Sequence, residues 1–286
     1  MGKWYNTKIT IENPQQYVIG TGQYHNRIIL LNKEKLQSME HICRYSKYLI
    51  DNATLFQDNL FLYALGDVIH NGQDLPVICK TTNRTDHHII AKLNHKRHWR
   101  FVNSVGENDI AYTLKKNSIV WRGVTTNYDE KPVRMCAVNK YHNHDIFDIG
   151  FNKCTQGRVV TALKPRLSLK EQLEYKFILS IEGNDVASGL KWQLYSNSVV
   201  IMAKPTCISW AMEDKLLPYI HYIPVKDDYS DLEEVFNWGL AHEEECIAIT
   251  KNAKAFISQF LDEEKEQEIH RRIIQRYIRN VTICPA

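Results

Sequence analysis

The chain has 286 residues, 44% of them hydrophobic and 24% charged, with a formal net charge of +3. This is the composition of a folded globular protein long enough for one large domain or two ordinary ones, and it excludes disordered and collagen-like classes. Bases and acids are interspersed, so no whole-protein field points to nucleic acid or a membrane surface, and no apolar run approaches bilayer-spanning length.

The N-terminal segment MGKWYNTKITIENP carries no signal-peptide core, so the expected compartment is the one in which the chain is made, the cytoplasm. Residues 27–31 read as a strand, 33–50 as a helix, 59–65 as a second strand and 76–79 as a third, the punctuation of an α/β layer. A polar, basic stretch with several histidines fills 80–100, and 99–105 reads as a returning strand. Residues 106–117 read as a connection and hold the candidate domain boundary. A second alternation follows, with a strand at 118–121, a loop carrying Arg122 and Gly123, a strand at 146–151 and a helix at 168–173. Next come a strand at 175–181 running into a helix, a strand at 199–203, a short helix near Trp210, a strand at 219–225 and helices from 230 to about 260. Over 262–280, Ile269, Ile273, Ile274, Tyr277 and Ile278 form one apolar stripe of a helix that must dock on something. Two successive α/β units predict twin Rossmann-like domains facing a cleft. The seven cysteines include no Cys-x-x-Cys pair and read as free thiols, mostly small core residues.

Residues 175–198, YKFILSIEGNDVASGLKWQLYSNS, say most about chemistry. A near-continuous apolar strand is broken by Gly183, followed by Asn184 and Asp185, which favour helix N-caps, and by the small residues Ala187, Ser188 and Gly189. Unpaired amides at the start of such a helix attract an anion, and Lys191 falls three residues after Ser188, on the same face. An ordinary α/β strand-turn-helix has the same pattern. The segment lacks the fixed spacing of a P-loop or a G-x-G-x-x-G turn, so taken alone the ordinary reading is favoured.

Four segments together resemble the Rumi-type protein O-glucosyltransferase family: FLYALGD ending at Asp67, VWRGVTTN at 120–127, the strand-turn-helix at 175–198, and LPYIHYIPVKDD at 217–228 after the W-x-x-E of Trp210 and Glu213. That family also takes in fungal capsule xylosyltransferases and bacterial lipopolysaccharide-modifying transferases, and within it the short chain is most similar to the chlorovirus-encoded β-xylosyltransferase branch. The resemblance implies an α/β fold of GT-B type, metal-independent, with two Rossmann-like domains. The acceptor side would be 1–114, the nucleotide-sugar side 115–261, and the terminal helix region 262–286 would return to the first domain. It implies an inverting transferase that moves a sugar, xylose ahead of glucose, from a UDP-sugar to a glycan hydroxyl, such as a fucose on a viral capsid glycan.

Such a transfer needs a base for the acceptor hydroxyl and a holder for the charge growing on the departing diphosphate. Asp67 follows an apolar strand and matches the family's catalytic aspartate; Asp74 is the alternative and His70 a weaker third, while a turn aspartate is the structural reading. Arg122 matches the family's phosphate-binding arginine, and guanidinium suits bidentate phosphate contact. Gly123 would admit the diphosphate to the backbone, and Thr125 or Thr126 would donate a hydroxyl. Asp185, Ser188, Gly189 and Lys191 complete the donor-binding set, with Glu213 as a ribose or sugar ligand or else a helix cap. Relatives often carry arginine where this chain has Gly189 to Lys191. No metal site is expected: His87, His88, His142, His144 and Asp145 read as solvated loop residues, and there is no D-x-D sequence. The competing class is a nucleic-acid or polyanion binder, for which KLNHKRHWR at 92–100 gathers cations and an indole; a catalytically inactive glycan-binding relative is the third.

Overall fold

The computed structural model describes residues 8–12, 28–32, 34, 55–56, 58–64, 75–83, 88–93, 95–126, 133–155, 159–160 and 163–284. The helix expected at 33–50 lies outside them except for residue 34, and so do Asp67, His70 and Asp74. In chain order the strands are β1 (Ile9–Ile11), β2 (Ile28–Leu31), β3 (Phe61–Ala64), β4 (Ile78–Cys79), β5 (Thr81–Thr82), β6 (Ile89–Ile90), β7 (Lys116–Val124), β8 (Asp148–Lys153), β9 (Tyr175–Leu179), β10 (Val199–Met202), β11 (Ile208–Ser209), β12 (Ile223–Pro224) and β13 (Val281–Ile283). The helices are α1 (His95–His98), α2 (Val102–Asn108), α3 (Val133–Tyr141), α4 (Leu169–Leu173), α5 (Leu190–Tyr195), α6 (Leu232–Ala241), α7 (Glu243–Ser258) and α8 (Glu263–Asn280). The chain forms an α/β fold in two compact units, one of Met1–Arg97, Cys207–Met212 and Phe260–Ala286, the other of His98–Thr206 and Glu213–Gln259.

In the second unit five parallel strands lie in the order β12-β10-β9-β7-β8. Alternation sorts their side chains. The odd-numbered Ile119, Trp121, Ile149, Phe151, Phe177, Leu179, Val199, Ile201 and Ile223 join one cluster with Val138 of α3, Phe236 of α6 and Ile249 of α7. The even-numbered Val120, Ile178 and Val200 are just as buried, yet belong to the opposite face. There α2 packs on α4 and α5, which touch β9 and β10. Burial on both faces is why β9 reads as a near-continuous apolar run and β10 as an unbroken one. The first border between the two units falls between Arg97 and His98.

Several sequence expectations shift for local reasons. Residues 99–105 do not return as a strand: Val102 and Val105, three apart and both fully buried, mark one side of α2. The strand expected at 118–121 extends to Val124, so Arg122 and Gly123 sit within β7 and not in a loop. Residues 217–222 turn tightly, with Tyr219 at φ 58°, and leave only β12 of the strand expected at 219–225. The short helix near Trp210 is a 3-10 turn at Glu213–Lys215. The helix expected at 168 is capped as its sequence suggests, by a Ser168–Glu171 capping box.

The first unit holds a mixed sheet in the order β2-β3-β4-β6, with β2 antiparallel to β3 and the other pairs parallel, so its described part is not a wholly parallel Rossmann sheet. Every residue of β3 is buried. The terminal helix α8 docks here: Ile274 and Tyr277 enter the core with Phe61 and Ile78, and the Tyr277 hydroxyl accepts a hydrogen bond from the Leu62 amide at 3.1 Å. After it, β13 pairs in parallel with β1. The expected stripe docks through Ile274 and Tyr277, with Ile273 and Ile278 packed beside them, and two polar residues, Glu266 and His270, extend the buried line toward the start of α8.

Those two form a closed polar node. Lys92 Nζ lies 3.1 Å from Glu266 Oε2, and the same oxygen accepts from the Trp210 indole. His270 Nδ1 bonds the Glu266 carbonyl oxygen at 2.7 Å, which leaves Nε2 to accept from the Lys92 amide at 2.9 Å. Burial, with Lys92 nearby, pushes the His270 pKa down to about 4 from 6.5. An unfolded chain takes up this proton below pH 6.5 and the folded one only near pH 4, so the contribution of neutral His270 is complete above pH 6.5 and is lost as the pH falls toward 4. The stability advantage of wild type over His270→Asn in urea is expected to shrink by about 2 kcal/mol between pH 7.5 and pH 4.5. A constant difference would place the proton elsewhere.

Candidate functional site

A sheet whose two faces are both covered offers a ligand only its strand ends. Counted from β7, the strand order is 2-1-3-4-5, and the order reverses between β7 and β9. In doubly wound sheets the ligand crevice opens at that reversal, outside the carboxyl ends of the strands. Here those ends are Val124, leading into Thr125 and Thr126, and Leu179, leading into residues 180–189.

Arg134 of α3 spans the two ends. Its Nη1 donates to the Val124 carbonyl at 3.0 Å and to Thr126 Oγ1 at 2.6 Å, its Nη2 to the Ile181 carbonyl at 3.1 Å, and its Nε to the Glu182 carbonyl at 3.0 Å. Gly183 makes this approach possible, because a Cβ there would meet Arg134 Nη2 at 2.8 Å and Thr126 Oγ1 at 2.9 Å. Glu182 extends the strap, accepting from the Thr206 amide at 3.1 Å and its hydroxyl at 2.6 Å beyond β10. Arg134 went unread in the sequence because no motif surrounds it. The clue was Gly183, whose lack of a side chain serves the guanidinium.

Arg122 is placed otherwise than a free phosphate ligand. Its Nη2 binds both oxygens of Asp148 at 2.8 and 2.9 Å, its Nη1 donates to the carbonyls of Asp148 and Trp121, and its Nε to that of Pro165. Asp148 opens β8, so the guanidinium turns toward the amino end of that strand. Lys164 joins at 3.1 Å, crossing Gly150, and Tyr175 donates to the same carboxylate at 3.2 Å. Burial raises the Asp148 pKa, but the bonds from Arg122 and Lys164 outweigh it and hold the carboxyl below its usual range.

Gly123 lies under the Trp121 indole, and a Cβ would come within 2.3 Å of Trp121 Cζ2. Thr125 is buried, accepting from the Thr155 amide at 2.8 Å and donating to its carbonyl at 3.2 Å. Both residues therefore have packing duties.

On the strand-turn-helix, α5 begins at Leu190, with Gly189 at its N-cap, so Asn184 and Asp185 belong to the preceding turn. Asp185 is buried, and its carbonyl accepts from the Gly183 amide. Ser188 and Gly189 are half-buried. Lys191 and Glu213, expected on a phosphate and on a sugar, meet each other at 2.7 Å with side chains only 1% exposed. The pair holds α5 against the 3-10 turn. Among the described residues no group of three or more His, Cys, Asp or Glu is placed to hold a metal ion. The basic window at 92–100 is not one solvated face, since Lys92, His98 and Trp99 are buried.

Two substitutions separate these structural duties from ligand contact. Gly123→Ala is expected to lower unfolding stability by about 1–3 kcal/mol through the indole clash; an unchanged midpoint in urea would leave the glycine free for a backbone approach. Lys191→Met strands the Glu213 carboxylate in the interior and should cost roughly 3–5 kcal/mol, whereas Lys191→Met with Glu213→Leu should recover most of that loss. Full stability of the single variant would show the pair open to water.

Residues 89–286 match the family described as Glycosyl transferase family 90, a span holding every expected donor-side residue from Arg122 to Glu213. The chain is 33% identical to O-glucosyltransferase LpsA of Dichelobacter nodosus over 211 residues, 71% of this chain and 62% of that protein. It is 34% identical to uncharacterized protein 035R of Invertebrate iridescent virus 3 over 119 residues, 41% of this chain and 11% of that one. With protein O-glucosyltransferase 2 of Danio rerio it shares 28% identity over 116 residues, 40% of this chain and 23% of the relative. The chain thus spans less than two-thirds of the length of these relatives. With well over half of its residues inside the match, this chain belongs to glycosyl transferase family 90.

Proposed function

We propose that the protein is a UDP-sugar-dependent glycosyltransferase whose second unit holds the nucleotide-sugar at the carboxyl ends of β7 and β9. The observation that carries this reading is the Arg134 guanidinium lying across the reversal of strand order, where its charge favours a diphosphate. Half-buried Ser188 and Gly189, in the segment leaving β9, form the rest of the donor seat, with buried Thr125 and Asp185 supporting it from the segments that leave the two strands. Arg122, Gly123, Lys191 and Glu213 serve the packing of the unit instead, the first through Asp148, the second beneath Trp121 and the last two as a pair.

In the proposed reaction an acceptor hydroxyl attacks the anomeric carbon in line, its proton passes to a carboxylate, and the bond to UDP breaks with inversion. Asp67, with Asp74 as alternative, is the proposed base, on the first unit of a GT-B architecture. Charge on the leaving diphosphate is met by guanidinium and main-chain amides. The names of the relatives speak for glucose as the donor sugar, and the likeness to the chlorovirus branch for xylose and a capsid glycan acceptor. Against the competing class, a nucleic-acid binder, stands the burial of Lys92 and Trp99, which leaves the basic window without its stacking indole.

The test is UDP release from UDP-glucose and UDP-xylose by the full chain, with and without fucose-bearing acceptors. Asp67→Asn is expected to abolish turnover while UDP still raises the melting temperature, and Asp74→Asn to retain activity. Indifference to every uridine nucleotide would remove the reading. UDP binding without turnover in wild type would leave an inactive glycan-binding relative.

A further inference from the structure

Two side-chain oxygens in the strand-turn-helix are buried with no hydrogen-bond partner among the described residues: Oγ of Ser180, in a residue 5% exposed, and Oε1 of Gln193, in a residue 7% exposed. Buried polar atoms are nearly always paired, so each unpaired one calls for a missing partner. Neither residue belongs to the donor seat described above.

Both belong to the one segment that runs from β9 into α5. Ser180 follows the last residue of β9, and its amide still bonds the Ile201 carbonyl of β10, so strand alternation carries past Leu179. Alternation assigns Ser180 to the face of Ile178, the face covered by α2, α4 and α5. Gln193 sits on α5, one turn after Gly189, and its amide leans over that glycine. A Cβ on Gly189 would meet Gln193 Nε2 at 3.1 Å and Trp192 Nε1 at 3.0 Å. The missing side chain thus leaves a notch edged by an amide and an indole N–H beside the carboxyl end of β9.

The chemistry of the unpaired atoms selects a ligand group. A carbonyl oxygen such as Gln193 Oε1 only accepts, and phosphate oxygens at neutral pH also only accept, so phosphate cannot satisfy it. An O–H or N–H can. A serine hydroxyl both donates and accepts and serves the same polar group.

We infer that Gln193 and Ser180 read a neutral O–H or N–H donor of the bound nucleotide-sugar, on its nucleoside or its sugar, and so set donor specificity while contributing nothing to holding the diphosphate. The inference rests on the nucleotide-sugar reading of the second unit.

Gln193→Leu and Ser180→Ala test it by calorimetric titration of UDP, UDP-glucose and inorganic pyrophosphate, with melting temperatures taken alongside. Each variant is expected to bind UDP-glucose about threefold to tenfold more weakly, the range of one net hydrogen bond, and to bind pyrophosphate as wild type does. An equal loss with UDP assigns the contact to the nucleoside; a loss confined to UDP-glucose assigns it to the sugar. Without ligand, the melting temperature should hold or rise, because an unsatisfied buried group has been removed. Undiminished UDP-glucose binding, an equal loss with pyrophosphate, or a lower melting temperature without ligand would each overturn the inference. A wild-type chain that binds no uridine nucleotide would instead bring down the underlying functional reading.

Discussion

A parallel sheet buried on both faces is the constraint from which the rest of the second unit follows. Once α3, α6 and α7 cover the odd-numbered side chains and α2, α4 and α5 lie on the other side, polar chemistry is confined to strand ends. Parallel strands also place all their carboxyl ends together, and a reversal of strand order such as that between β7 and β9 opens a crevice between the connections there. Arg134 occupies that gap with four hydrogen bonds, three of them to main-chain carbonyls. A cation so heavily anchored is held in one geometry, which is the preorganisation that the proposed stabilisation of a leaving diphosphate would require.

Elsewhere charge is spent on architecture. Arg122 with Asp148, Lys191 with Glu213, and Lys92 with Glu266 are buried or half-buried pairs, each completed within its own unit. Such pairs gain little net stability over apolar packing, but removing either member leaves a costly lone charge. They therefore specify arrangement more than they add stability. The W-x-x-E segment is the clearest case. Trp210 reaches Glu266 in the first unit and Glu213 reaches Lys191 in the second, with Met212 between them at φ 53°. A left-handed residue at that border turns the chain where a helix or strand would have carried it on.

Much of the fold was legible because it follows periodicity. The strands at 175–179 and 199–202, the capped helix near 168 and the long terminal helix all appear where hydrophobic pattern and capping residues put them. Reading failed where a short segment carried two periods at once. At 99–105 a three-residue spacing lay inside a mixed polar stretch, and at 217–222 a left-handed tyrosine closed a turn within an apolar run. The segments of the proposed site were legible, since the motifs behind the family resemblance lie on β7 and β9 and the turns that follow, but the contacts of individual side chains were not. Lys191 and Glu213 are the right residue types for ligand contact, and 22 positions apart nothing in the sequence says that they meet each other.

The sequence by itself determined where the β9 and β10 strands lie, that a turn containing Gly183 follows β9, and to which family the chain is similar, because all three are written in local order and spacing. Only the tertiary structure decided which charges are paired inside the protein. A guanidinium or ammonium is claimed by whatever carboxylate the fold brings within about 3 Å, and that partner came from distant positions: Asp148 for Arg122, Glu213 for Lys191, and for Arg134 the carbonyl ends of two strands.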